Sequence, residues 1–186
     1  MMAFLTRLAA LALLTLTIAC SGEQLQTAPA AAQLGSYRLG SGDALRMIIY
    51  GEDKLSGEFR VSDSGNIALP LIGDIKAAGQ TVDELTRTVT AAYSSSVLVN
   101  PRIAIEIISY RPFFILGAVG KPGQYPFIPG MTVRQAIATA NGYTPIAKQK
   151  VVMVTHWGEA EEKSYRLDAA TLVRPGDTIR IPERVF

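Results

Sequence analysis

Histidine and cysteine, which often carry catalysis or bind transition metals, each occur only once in this 186-residue chain. They are His156 and Cys20. A zinc site built from these side chains needs three or four of them, and a disulfide needs two cysteines, so the sequence predicts neither within the chain. A histidine-dependent nucleophilic triad would have to use His156, and no Gly-x-Ser-x-Gly turn is present to hold its serine.

Carboxylate pairs carry out glycoside hydrolysis, and four aspartates could in principle supply one: Asp43, Asp63, Asp74 and Asp177. Asp43 and Asp177 each follow a glycine, and Asp63 lies next to a glycine-containing turn, positions where the side chain commonly bonds the local backbone. We therefore expect structural roles for these aspartates and no catalytic residue. An enzyme acting on a glycan, such as a lyase or hydrolase, stays an alternative.

Cofactor and nucleic-acid binding are not expected either. Gly40-Ser41-Gly42 starts a dinucleotide fingerprint, but Leu45 stands where the third glycine is required, and no P-loop sequence is present. The chain is 48% hydrophobic and 18% charged, with a formal net charge of +2. This composition is typical of a folded protein and excludes nucleic-acid binding driven by bulk charge.

The first twenty residues have the pattern of a secretory leader. A basic start is followed by an apolar run over residues 8–18, a small residue and then Cys20. The run is shorter than the roughly 20 apolar residues that cross a membrane. Residues 1–19 are therefore predicted to be a signal peptide, and residues 20–36 a flexible tether.

Cys20 has two interpretations. Leu16-Thr17-Ile18-Ala19-Cys20 resembles a bacterial lipobox, although Thr17 replaces the usual leucine. The resemblance implies lipidation of Cys20, and because Ser21 is not aspartate it implies the outer membrane, with the protein facing the periplasm. In the alternative, Cys20 is an incidental residue of an ordinary signal peptide.

Two small modules are expected after the tether, at residues 37–110 and 111–186. In each, strands flank a short helix that begins with a capping box, Thr81 with Glu84 and Thr132 with Gln135. The predicted strands lie at 44–50, 59–62, 67–71, 103–108, 113–119, 125–128, 151–157, 164–167 and 178–181, with a hairpin tip at Gly65-Asn66. Together these elements predict an α+β fold made of small mixed sheets.

Short internal matches support the division into two modules. Gly42-Asp43-Ala44-Leu45-Arg46-Met47 parallels Gly176-Asp177-Thr178-Ile179-Arg180-Ile181, each a turn entering a strand. Gly79-Gln80-Thr81-Val82 parallels Gly130-Met131-Thr132-Val133, each at the start of a helix. Shared turn chemistry could also produce such matches, so they suggest duplication without establishing it.

The ordered set of motifs resembles the outer-membrane polysaccharide export family. The first module is similar to its polysaccharide-export domain, through residues 37–45, 64–73 and Asn100-Pro101. The second is similar to a soluble-ligand-binding β-grasp (SLBB) domain, through Gly117-Ala118-Val119-Gly120-Lys121-Pro122-Gly123, Gly130-Met131-Thr132-Val133 and residues 138–143.

This resemblance implies a periplasmic ring at the outer membrane that exports a capsular polysaccharide or exopolysaccharide without catalysis. The expected partners are other copies of the chain, an inner-membrane polysaccharide co-polymerase, an acidic or neutral polysaccharide, and the membrane through the lipid anchor. A C-terminal membrane helix like that of larger family members is not evident, so a separate outer-membrane pore protein is also expected. The alternative is a monomeric periplasmic lipoprotein that binds a glycan or another ligand.

His156 and Trp157, beside the acidic turn Glu159, Glu161 and Glu162, form the best candidate for contact with a sugar, because an aromatic face packs on a pyranose ring. Packing on their own module or on a neighbouring subunit is the alternative for this pair. Tyr110, Phe113 and Phe114 are expected to pack in the core or between modules. Lys121 and Arg134 are expected in solvent, or facing a channel that carries an acidic polymer.

Overall fold

The computed structural model describes residues 26–27 and 37–184, and within these ranges the chain forms eleven strands and two helices. The strands are β1 (Gln26–Thr27), β2 (Ala44–Ile49), β3 (Gly57–Arg60), β4 (Asn66–Leu69), β5 (Gly73–Lys76), β6 (Ile103–Ser109), β7 (Phe113–Gly117), β8 (Gly123–Tyr125), β9 (Val151–Thr155), β10 (Lys163–Arg166) and β11 (Thr178–Ile181). The helices are α1 (Val82–Ser96) and α2 (Val133–Thr139). The predicted signal peptide, Cys20 and most of the predicted tether lie outside the described residues.

The first module contains a three-stranded antiparallel sheet, in the order β3-β2-β6, and the hairpin β4-β5. Alternation along β2 places Leu45, Met47 and Ile49 inside, each only 1% exposed. Helix α1 covers this core with Leu85, Val89 and Tyr93. The apolar stripe of the helix and the alternating strand therefore bury each other, as amphipathic elements must.

The second module contributes five strands to a six-stranded sheet in the order β1-β10-β9-β11-β7-β8, and β1 comes from the predicted tether. Strand β11 is the last described strand and lies near the middle, parallel to β7 and antiparallel to β9. Helix α2 packs Val133, Ala136 and Ile137 on the buried face of this sheet. The buried apolar residues of the two modules form separate clusters, at 39–93 and 113–181.

Three details of the expected strand arrangement are wrong. The chain does turn at Gly65, but the strands on either side pair elsewhere, β3 with β2 and β4 with β5. Strand β5 was not expected, because Gly73-Asp74-Ile75-Lys76 has only one apolar residue to mark it. Strand β8 covers Gly123–Tyr125, so the strand expected at 125–128 is placed two to three residues too late. Residues 26–27 of the predicted tether form β1, which lies parallel to β10 at the edge of the sheet.

Both predicted capping boxes are present. Glu84 N donates to Thr81 Oγ1 at 3.2 Å while Thr81 N donates to Glu84 Oε2 at 2.9 Å, and Thr132 and Gln135 repeat the arrangement on α2. Neither helix in the described part of the chain is long and apolar enough to cross a membrane.

Thr81→Ala is expected to lower the free energy of unfolding by about 1 kcal/mol, because one N-terminal amide of α1 loses its acceptor. Urea denaturation followed by circular dichroism measures this change. Thr88→Ala, on the exposed face of the same helix, is the control and should leave stability within about 0.5 kcal/mol of wild type. Equal losses in the two variants would show that the capping contact does not stabilise the helix.

Candidate functional site

An open cleft of about 420 Å³ lies where the two modules meet. It contains four aromatic residues and several charged ones, and this volume falls in the range of small-molecule sites. The residues that line this junction cleft are Tyr37, Arg38, Tyr110, Arg111, Phe127, Pro129, Gly130, His156, Trp157, Glu159, Val173, Arg174, Pro175 and Asp177.

One wall of the junction cleft is fixed by Asp43, which is 0% exposed. Its Oδ2 accepts from Tyr37 Oη at 2.6 Å and from Gly40 N at 2.8 Å, and its Oδ1 accepts from Arg111 N at 2.8 Å. The carboxylate thus closes its own turn and holds the start of the second module. Burial and the hydrogen bond to Asp43 raise the pKa of the Tyr37 phenol, which stays a neutral donor.

On the opposite wall, a second buried aspartate, Asp177, closes its own turn as Asp43 does and is 1% exposed. Its Oδ2 accepts from Arg174 N, three residues earlier, at 2.8 Å, and its Oδ1 accepts from His156 Nδ1 at 2.8 Å. Because a carboxylate only accepts, this contact places the imidazole proton on Nδ1. The matching Gly-Asp sequences therefore mark two turns of the same design, one in each module.

Arg111 connects the two turns. Its backbone N–H is held by Asp43, as described above, and its Nε donates to Pro175 O at 3.2 Å. The guanidinium carbon lies 5.7 Å from the centroid of the Tyr37 ring and 5.2 Å from that of Trp157. A guanidinium at these distances interacts favourably with aromatic faces. Arg111 thus ties the modules together and separates the two rings.

A row of aromatic rings continues from Tyr37 across the junction. The Tyr37 and Tyr110 centroids are 5.1 Å apart at an interplanar angle of 75°, and those of Tyr110 and Phe127 are 5.4 Å apart at 72°. Edge-to-face pairs of this kind stabilise a contact beyond the area they bury. Three aromatic residues were expected in core or inter-module packing: Tyr110 lies between the modules and Phe113 is buried, but Phe114 is 37% exposed.

The structure brings the predicted sugar-contact pair to this cleft. His156 is 15% exposed at its side chain and anchored by Asp177, whereas Trp157 is 55% exposed. Glu159 also lines the cleft; its hydrogen bond with Lys163 Nζ, at 2.6 Å, lowers the pKa of its carboxyl group. Glu162, expected beside it, instead pairs with Arg180 on the sheet.

Sequence reasoning missed Tyr37, Arg111 and Phe127 as cleft residues. In the sequence, only its place between the modules marks Arg111 as a residue of the cleft. For Tyr37, the mark is the nearby Gly-Asp turn, whose counterpart Gly176-Asp177 lies in the other module. Exposed and half-buried aromatic rings with an arginine and backbone carbonyls between them provide apolar faces and hydrogen-bonding groups together. This combination suits carbohydrate, whose rings have apolar faces and polar edges.

Comparison with known families gives two adjacent matches. The family model described as polysaccharide biosynthesis/export protein matches residues 31–108, and the SLBB domain model matches residues 112–166. The chain therefore contains an export-type domain followed by an SLBB domain. The predicted α+β fold, with an export domain followed by an SLBB domain, is confirmed. Arg111 lies just outside both matches, at the junction of the two domains.

Several proteins similar to this chain have names that describe the production, export or transport of a polysaccharide. The chain is 32% identical over 154 residues to the exopolysaccharide production protein ExoF of Rhizobium meliloti, covering 76% of its own length and 34% of ExoF. It is 26% identical to the polysaccharide export outer membrane protein EpsA of Ralstonia nicotianae, over 90% of this chain and 52% of EpsA. It is 25% identical to the polysialic acid transport protein KpsD of Escherichia coli, over 70% of this chain and 24% of KpsD. The chain thus spans between a quarter and about half of the length of these relatives.

Proposed function

We propose that this protein is a non-catalytic component of a machine that exports a capsular polysaccharide or exopolysaccharide at the outer membrane. We propose further that the junction cleft contacts the polymer during export. The observation that carries the second step is the half-exposed Trp157 beside the Arg111 guanidinium, in a cleft between an export domain and an SLBB domain. The names of EpsA, an export protein, and KpsD, a transport protein, support the export role, and the name of ExoF supports a role with exopolysaccharide.

The proposed machine contains several copies of this chain in a ring, held at the periplasmic face of the outer membrane by a lipid on Cys20. The proposed partners are an inner-membrane co-polymerase, which would couple export to synthesis, and a separate outer-membrane pore protein. Multiple acyl chains would give the firm attachment that one chain does not. The same proposal divides the chain into a signal peptide at residues 1–19, a lipidated tether at 20–36, an export domain at 37–110 and an SLBB domain at 111–186.

A monomeric glycan-binding lipoprotein is the second candidate, because the junction cleft is complete within one chain. The mass of the detergent-solubilised protein distinguishes the two. A large closed oligomer supports the ring, and a monomer at the concentration found in cells supports the second candidate.

The export role itself is tested by deleting the gene and measuring polymer on the cell surface. We expect surface polymer to disappear and to return when the wild-type gene is restored. A Cys20→Ala version should be lost from the outer-membrane fraction and should restore little polymer. Normal surface polymer in the deletion strain would overturn the export role.

A further inference from the structure

A second open cavity, of about 490 Å³, lies in the second module, and most of the residues that line it are exposed cations. Four of its six residues are lysine or arginine, and the other two are a tyrosine and a glutamine. These residues, which we call the cationic pocket, are Arg134, Tyr143, Lys148, Gln149, Lys150 and Arg184. None of them lines the junction cleft.

The positive charge of the cationic pocket is not neutralised by the pocket itself, because none of its lining residues is acidic. In the described part of the chain, the ion pairs formed by carboxylates involve other cations. Two acids lie nearby. Glu183 precedes Arg184 in sequence. Hydrogen bonds from Thr171 Oγ1 and Ala170 N, both at 2.9 Å, lower the pKa of Asp168, and the nearby Arg134 guanidinium contributes to this lowering. Four like charges around one cavity favour a bound anion, which relieves their repulsion.

The backbone beneath the cationic pocket is firmly held. Lys148 N donates to Pro182 O and Arg184 N donates to Ile146 O, both at 2.8 Å, so the two segments bearing these cations are fastened together. The Arg184 side chain also donates from Nε to Ala147 O at 2.9 Å. A bound ligand would therefore have less backbone to order, which reduces the cost of binding.

Tyr143 adds an aromatic surface to the cationic pocket. It is partly buried and packs against the core of the module, which fixes its ring. A ring held in place beside several cations matches a pyranose that carries a carboxylate, since the sugar face packs on the ring and the carboxylate accepts from lysine or arginine. A neutral sugar would leave the cations without a partner.

We propose that the cationic pocket binds an acidic sugar residue, a pyranose bearing a carboxylate, of the polymer that the protein helps to export. This inference rests on the proposed function and assigns its substrate to the anionic polysaccharides. The pocket is a second contact point for the polymer, separate from the junction cleft.

Calorimetric titration of the full chain in detergent tests this inference. The probes are an oligomer of glucuronic acid and an uncharged glucose oligomer of the same length. The pocket variant is Lys148→Gln with Lys150→Gln, and its control is Lys54→Gln with Arg87→Gln, which removes the same charge from exposed positions of the first module. We expect the acidic oligomer to bind the wild type and the control equally, and the pocket variant at least tenfold more weakly. The neutral oligomer should bind all three equally and more weakly than the acidic one binds the wild type.

Three results would overturn the inference: equal losses in the pocket variant and the control, equal binding of the two oligomers to the wild type, or binding of short-chain phosphatidylglycerol that is lost in the pocket variant, without binding of the acidic oligomer. The last would assign the pocket to a lipid headgroup. Trp157 emission, recorded in parallel, separates this inference from the proposed function. If the acidic oligomer changes that emission and binds the pocket variant with wild-type affinity, the pocket is not a polymer site while contact at the junction cleft stands.

Discussion

Asp43→Ala is expected to lower the free energy of unfolding by about 3–5 kcal/mol. The buried carboxylate accepts from Tyr37 Oη, Gly40 N and Arg111 N, and the substitution leaves all three donors without this acceptor. Each buried donor that has given up its hydrogen bonds to water and has no acceptor in the protein costs about 1–3 kcal/mol of stability. The three losses are not independent, so their sum exceeds the expected change. Urea denaturation followed by circular dichroism measures the effect.

Asp63→Ala provides the matched control, because it removes the same side chain from an exposed position of the same module. Its effect should stay within about 0.5 kcal/mol. Asp43→Asn should also destabilise, since its amide NH₂ group would face a donor in place of one carboxylate oxygen. If Asp43→Ala were no more harmful than Asp63→Ala, Asp43 would not hold the modules together.

Arg111→Ala is expected to weaken binding of the exported polymer at least tenfold, while destabilising the fold by only about 1–2 kcal/mol. The guanidinium lies near the Tyr37 ring of the first module and the Trp157 ring of the second, and it donates to Pro175 O. Without it, Trp157 loses its neighbour and the walls of the cleft lose a connection. Arg111→Lys keeps the charge but not the planar fork, and should recover only part of the affinity.

Gly40→Ala tests the role of Arg111 without replacing it, because the added methyl group displaces the guanidinium. A Cβ at residue 40 would lie 1.5 Å from Arg111 Nη1, so the guanidinium must move. Gly57→Ala is the control, because its Cβ would meet only the Phe59 ring, at 3.8 Å. We expect Gly40→Ala to reproduce the binding loss of Arg111→Ala and Gly57→Ala to bind normally. If Arg111→Ala and Gly40→Ala both fold and bind the polymer with wild-type affinity, Arg111 does not contribute to the binding site.

The features that sequence predicts well here are local. The capping boxes at Thr81 and Thr132 need only residues three apart, and the turn roles of Asp43 and Asp177 depend on their own glycines. The apolar character of residues 44–50 and the alternation at 103–108 were enough to identify strands β2 and β6. In each case the physical cause lies within a few residues.

The features that sequence missed depend on distant contacts. Nothing near Arg111 indicates that its backbone meets Asp43 or that its side chain reaches Pro175, 64 residues later. The partner of β4 is likewise decided by packing, because the turn at Gly65 is compatible with more than one pairing. His156 and Trp157 were identified as a pair, but the rings opposite them come from residues far away in the sequence.

Fluorescence of Trp157 tests most directly whether the junction cleft holds the polymer, because it is the only tryptophan of the chain and is half-exposed in the cleft. Polymer fragments prepared from the cell surface should shift its emission to shorter wavelength in a saturable way, and Trp157→Ala should lose at least tenfold in affinity measured by calorimetry. Fragments that bind by calorimetry without changing this emission, and that bind Trp157→Ala with wild-type affinity, would contradict glycan contact at the cleft.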